Sequence, residues 1–233
     1  MRHLSLTGAL IAAPLLSAIA QQTALDSAVT RCLSTDTTTA WQQVAAAWAK
    51  ETAGSWSDDS LRRELLALGE ADQALRNLPG MADSVQSPAF LQRMAAGDSV
   101  RARRLREIVS RHGWPGKSMV GARAASAAFL IVQHNASLQE EMLKVLRAQP
   151  SGEVNPSELA MLEDRVRMHA GLPQRYGTQF KSGDTTLVLH PIEEPGGLEA
   201  RRAAAGLPPM KVYACVIEAQ YQRKVELPPP GDG

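Results

Sequence analysis

The sequence predicts a mainly α-helical protein, a single compact helical domain of six to eight helices with one small β-hairpin near 179–189. Three observations carry this. Apolar residues recur at steps of three and four, as in Leu61, Leu65, Leu68 and Leu75 and again in Val120, Ala124, Ala127 and Ile131. Residues that open and close helices bracket these stretches. The pattern shifts toward strand-like alternation only around 179–189. Each stripe also carries one ionisable residue in core register, Asp72 in the first and His134 in the second. A carboxylate and an imidazole are costly to bury without partners, so the two mark a polar site.

The chain opens with Arg2 and His3, a mostly apolar run from Leu4 to Leu16, and Ala18-Ile19-Ala20 before Gln21. This is the pattern of a signal peptide cleaved after Ala20, which implies export to the periplasm or the extracellular medium. No cysteine stands at the cut, which argues against a lipid anchor. The remaining 213 residues suit one domain. Gln21 to Ser57 reads as an N-terminal extension with one helix, Thr39 to Glu51, presenting Trp41, Val44, Ala45 and Trp48. The helical domain runs from Asp58 to Glu226, and Leu227 to Gly233 is a Pro/Gly tail expected to be disordered.

Asp58 or Asp59 caps the helix that carries Asp72 and stops before Pro79-Gly80. Ser87-Pro88 opens a short helix to about Ala96, and Gly97-Asp98-Ser99 starts another that ends at His112. Gly113, Trp114 and Pro115 supply the stop. Ser118 to Asn135 is Ala-rich and apolar around most of its circumference, as a central buried helix should be. Ser137-Leu138-Gln139-Glu140 reads as a capping box for a helix to about Ala148, and Asn155-Pro156-Ser157-Glu158 opens one that ends near His169. Gln179 to Lys181 and Thr185 to Leu189 flank Ser182-Gly183-Asp184 as a hairpin. A short helix, Leu198 to Ala205, precedes a last one that starts at Pro208 and runs through about Tyr221.

The leader holds one of the 25 Lys and Arg residues and none of the 24 Asp and Glu, so the mature chain carries 24 of each. Neutrality gives no electrostatic case for nucleic acid. Arg101, Arg103, Arg104 and Arg106 read as a solvated helix face. No later apolar run is long enough to span a membrane. Cys32 and Cys215 are the only cysteines, and either a disulfide or two isolated buried thiols fits them.

Nucleophile-elbow, P-loop and zinc-protease signatures are absent, no ligand spacing supports a metal, and no cofactor is implied. The candidate chemistry rests on polar residues in awkward places. Asp72, followed by Gln73 and Arg76, is either an intrahelical pair with Arg76 or part of a site. His134 beside Gln133 is either a satisfied core histidine or a functional one. Asp164-Arg165 borders an apolar strip, whereas Glu163 and Arg167 form an ordinary surface pair. Gln174, Tyr176, Thr178 and Gln179 cluster around Gly177, where neutral donors and acceptors can line a pocket or satisfy a turn.

Gln133-His134, Asp164-Arg165 and Gln174-x-Tyr176-Gly177-Thr178-Gln179 resemble a bacterial family, domain of unknown function 6624. Asp72-Gln73, Trp114-Pro115, Gly121, Pro191-Ile192-Glu193, Arg201-Arg202 and Gly206-Leu207 are similar to its other signposts. The likeness covers about Leu61 to Tyr221. The family motif often reads Gln-His-Ala-Asp where this chain has Gln133-His134-Asn135-Ala136, so the last carboxylate is missing. The resemblance implies a shared architecture and a shared polar site, and brings no established activity.

The expectation is a protein that binds a polar small molecule, peptide or glycan at one site holding Asp72, His134 and Asp164 with Gln73, Arg76, Gln133, Arg165, Gln174, Tyr176, Thr178 and Gln179. A hydrolase with His134 as general base and Asp72 or Asp164 orienting it is the alternative. A polar cluster that only fixes helix register is the third reading.

Overall fold

Helix starts and stops set the frame of the computed structural model, which describes residues 26–36, 39–52, 54–76 and 87–227. The expected leader, the Pro79-Gly80 stop and the tail beyond Leu227 lie outside the described residues. Ten α-helices and a three-stranded sheet are present among them, a mainly α domain. The helices are α1 (26–33), α2 (Ala40–Ala49), α3 (Asp59–Arg76), α4 (Pro88–His112), α5 (Lys117–Val120), α6 (Ala122–Gln133), α7 (Ala136–Arg147), α8 (Pro156–His169), α9 (Leu198–Ala204) and α10 (Met210–Tyr221).

Local chemistry explains most boundaries. Asp58 caps α3, its Oδ1 accepting from Leu61 N at 2.8 Å. Asn155 caps α8 by accepting from Ser157 N at 3.1 Å, with Pro156 at the first helical position. Gly113 closes α4 with φ 76°, and Trp114 turns back into the core.

Two glycines behave differently from expectation, in opposite directions. Gly97 does not separate two helices: α4 runs unbroken from Pro88 to His112. A Cβ at Gly97 would lie 3.1 Å from the Arg101 guanidinium, so the glycine makes room for a buried arginine instead of ending a helix. Ser99 donates back to the Ala95 carbonyl at 2.8 Å, and Asp98 pairs with arginines rather than capping. Gly121, expected inside one long helix, breaks it into α5 and α6. Its φ is 79°, and the space a Cβ would fill is held by the Arg62 guanidinium and Glu51 carboxylate. Arg62 also donates to the Val120 carbonyl at 2.7 Å, closing α5.

The Ser137 capping box does not form. Asn135 is the cap of α7, and Gln139 reaches back past it to the Gln133 carbonyl at 2.9 Å. The arginine run on α4 is not one solvated face: Arg101 is 6 % exposed, and Arg104 and Arg106 pair with Glu64 and Glu141. The last helix starts at Met210, two residues after Pro208.

α6 is the central helix, with Ala124, Ala128 and Val132 fully buried, and it touches α3, α4, α7 and α8. Its closest neighbour is α3. A Cβ on Gly69 would sit 2.8 Å from the Ala127 Cβ, so the two backbones approach as near as side chains allow. The hairpin forms as β1 (Phe180–Ser182) and β2 (Thr186–Leu189), antiparallel, with Phe180 opposite Leu189. A strand that periodicity did not announce, β3 (Lys224–Glu226), adds parallel to β2. The N-terminal segment contains α1 as well as the expected α2. A disulfide from Cys32 to Cys215 binds α1 to α10, with the Cα atoms 5.7 Å apart.

The disulfide spans 183 residues, so reducing it should lower the unfolding free energy by about 5 kcal/mol in the chain-entropy limit, read by urea denaturation with and without reductant. Gly69→Ala gains at most ~1 kcal/mol of helix propensity but forces α3 off α6, costing about 1–3 kcal/mol. The same denaturation experiment should show net destabilisation.

Candidate functional site

Asp72 lies one turn after Gly69 on α3 and is fully buried. Its Oδ2 is 2.7 Å from His134 Nδ1 and accepts from Gln73 Nε2 at 3.0 Å. Its Oδ1 accepts from Arg76 Nη1 at 2.9 Å and faces Arg101 Nε at 3.3 Å. Arg76 Nη2 grips both oxygens of Asp98 at 3.0 and 2.9 Å, and Arg101 Nη2 reaches Asp98 at 2.6 Å. Two carboxylates and two guanidiniums thus alternate around a small ring, with the imidazole attached to one corner. Burial works to push the Asp72 carboxyl up. The His134 hydrogen bond and the charges of His134, Arg76 and Arg101 outweigh it and hold the group below its ordinary value.

His134 is the residue at which α6 ends, with its N–H on the Leu130 carbonyl and φ −89°, ψ 0°. Facing an ionised Asp72, its Nδ1 carries a proton, so that Nε2 is an acceptor whenever the ring holds only that one. No described residue bonds Nε2. The ring borders an open depression of about 390 Å³ that Gln133, Gln139, Arg165, His169 and Gln179 also line. The Gln133 carbonyl at the end of α6 accepts from Gln139 Nε2 at 2.9 Å and from Arg165 Nη1 at 3.0 Å. That shared carbonyl fixes the two side chains in place.

The other expected members gather elsewhere. Asp164 is fully buried and accepts from the backbone N–H of Arg175 (2.6 Å), Tyr176 (3.0 Å) and Thr178 (3.0 Å) and from the Thr178 hydroxyl (2.9 Å). Burial pushes its carboxyl up against the pull of those donors. From the opposite side, Arg201 Nε donates to the Arg175 carbonyl at 2.9 Å and Arg202 Nη1 to the Tyr176 carbonyl. Gln174, also fully buried, donates to the Gln179 and His190 carbonyls and accepts from Gln179 N at 2.9 Å. Tyr176 packs on Ala160, Ala205 and Leu207. The loop 174–179 is therefore clamped by a carboxylate on its amides and by guanidiniums on its carbonyls.

The site expected as one from the sequence divides into two. His134, Gln133, Arg165 and Gln179 meet at the depression, with Asp72, Gln73 and Arg76 behind His134. Asp164, Gln174, Tyr176 and Thr178 build the loop that carries Gln179 to its edge. Glu163 is not a surface residue paired with Arg167: it is 6 % exposed and pairs with Arg147 at 2.9 Å, while Arg167 reaches Glu193 at 2.8 Å. Asp98 and Arg101 were not anticipated as members of the buried ring. Their i,i+3 spacing was the available signal, and it is also that of any surface pair. Among the described residues no group of three or more His, Cys, Asp or Glu is placed to hold a metal ion, and no helix is long and apolar enough to cross a membrane.

The profile of a family of unknown function, DUF6624, matches residues 59–226, from the first residue of α3 to the last of β3. The chain belongs to this family. Neither a curated protein nor a solved structure matches it.

Asp72→Asn leaves Arg76 and Arg101 short of a charge and should cost about 3–5 kcal/mol at neutral pH. A carboxyl held below its ordinary value stabilises fully above that value, and the contribution disappears as pH falls through the folded-state value. Unfolding free energies measured from neutral to acid pH should therefore fall less steeply in Asp72→Asn than in the wild type.

Proposed function

We propose that the protein binds a small polar molecule, peptide or glycan through an anionic group, at the depression where His134 and Arg165 meet. One observation carries this reading. Arg165 has no carboxylate partner among the described residues, and its single hydrogen bond there goes to the Gln133 carbonyl. Burial pulls its guanidinium down from its ordinary value, so the charge is held at an energetic disadvantage that a bound anion would relieve. His134 Nε2, Gln139, Gln179 and His169 surround the same space with hydrogen-bonding groups.

A second reading, a hydrolase, is favoured by the 2.7 Å contact between His134 Nδ1 and a buried carboxylate. Such a contact fixes the ring and its tautomer and leaves Nε2 to take a proton. Asp72 is the orienting acid in this reading, since Asp164 is committed to the loop. Among the described residues no serine, threonine, cysteine or lysine lines the depression, and in this reading the base acts on water. Export is also part of the proposal. The leader pattern of residues 1–20 and a disulfide joining Cys32 to Cys215 both suit an oxidising compartment.

Titration calorimetry of the purified protein with inorganic phosphate and acetate should detect an anion that Arg165→Gln weakens about 10–100-fold, the value of one charge-assisted hydrogen-bonded pair. Equal affinity in wild type and variant would sink the reading. In a screen of hydrolysable esters and amides, His134→Ala should keep anion affinity and lose turnover if the second reading holds; a variant that instead merely melts several degrees lower would mark the histidine as structural.

A further inference from the structure

A second cavity, of about 570 Å³, is separate from the depression at His134 and shares no lining residue with it. It lies along the same two helices. Ser126 and Leu130 on α6 line the cavity, and Gln133, one turn further along that face, lines the depression. On α8 Glu158 lines the cavity, and Arg165, seven residues on and so on the same face, lines the depression. Gln73 on α3 joins the two chemically. It borders the cavity and donates at 3.0 Å to Asp72 Oδ2, the oxygen that holds His134.

The cavity mixes apolar walls with spaced hydrogen-bonding groups. Trp48, Leu66 and Leu130 supply the walls, and Gln73, Ser126 and Glu158 the polar positions. Burial, working against hydrogen bonds with Ser126 and Asn155, pushes the Glu158 carboxyl up to about 7. Near neutral pH it can therefore both donate and accept, as an amide partner must. Seven residues of helix separate Ser126 from Gln133, a rise of about 10 Å. An extended peptide covers that distance in about three residues.

We propose that cavity and depression form one groove, and that its ligand is a short peptide ending in a free carboxylate. The carboxylate sits at Arg165. The preceding two or three residues lie over Leu130, with an apolar side chain against Trp48 and Leu66 and amide groups at Gln73, Ser126 and Glu158. An acyl chain in the same place would leave unused the hydrogen-bonding capacity those groups keep beyond their contacts with Asp72, Asn155 and one another. The inference rests on the anion-binding reading of the depression and adds the chemistry of what precedes the anion.

Calorimetry on the full chain separates the two claims, using N-acetyl-leucyl-alanyl-alanine, its C-terminal amide, acetate and octanoate as probes. The peptide should bind at least tenfold more tightly than acetate, and the amide at least tenfold more weakly than the peptide. Ser126→Val and Glu158→Met should each weaken the peptide several-fold while leaving acetate binding unchanged, which also reports that the variants are folded. The groove is overturned if the peptide binds no better than acetate, if octanoate equals the peptide, or if both variants bind the peptide as the wild type does. Acetate binding that Arg165→Gln leaves unaltered overturns the anion reading instead, and absence of binding by every probe overturns both.

Discussion

Where Gly69 of α3 lies against Ala127 of α6, there is no room for even one more carbon, and that contact sets the height at which the two helices cross. One turn beyond it on α3 stands Asp72; two turns beyond it on α6 stands His134. A larger residue at either position would separate the backbones, and the 2.7 Å contact between carboxylate and imidazole depends on their closeness. Burying Asp72 is tolerable because both of its oxygens are occupied, by His134 and Gln73 on one and by Arg76 and Arg101 on the other. Asp98 then balances the second positive charge. The ring is close to neutral as a whole, which is why helices α3 and α4 can pack over it.

The second polar cluster follows a different logic. The loop 174–179 has few backbone partners of its own, so side chains supply them: Asp164 for the amides, Arg201 and Arg202 for the carbonyls, Gln174 for the two segments that flank it. This explains the composition of Gln174-x-Tyr176-Gly177-Thr178-Gln179 without assigning most of it to a ligand. Only Gln179 emerges at the depression. The family match from α3 to β3 encloses both clusters.

Local signals in the sequence carried a large part of the fold. The caps at Asp58 and Asn155, the stop at Gly113 and the hairpin around Gly183 act within a few residues, and the structure has each of them. Gly97 and Gly121 show where such signals end. One lies inside a continuous helix because an arginine four residues on lies over it, and the other breaks a helix because Arg62 and Glu51, far away in the chain, fill the space beside it. A glycine in a helical pattern permits both outcomes, and only its spatial neighbours choose between them. The strand β3 was hidden for the same reason, since three residues hold no periodicity and pair only because β2 is already in place.

The sequence by itself determined that this is a helical domain with an acid and a histidine in core register, because the period of a helix is written into neighbouring residues. It did not determine which acid meets the histidine. Asp72 and Asp164 looked alike as candidates, and His134 contacts Asp72 across 62 residues of chain. Tertiary packing decided that one acid orients the imidazole at an open surface while the other is consumed in holding a loop. The physical reason is that a buried carboxylate takes whatever donors the fold brings to it, and those donors come from helices whose order in space no local pattern records.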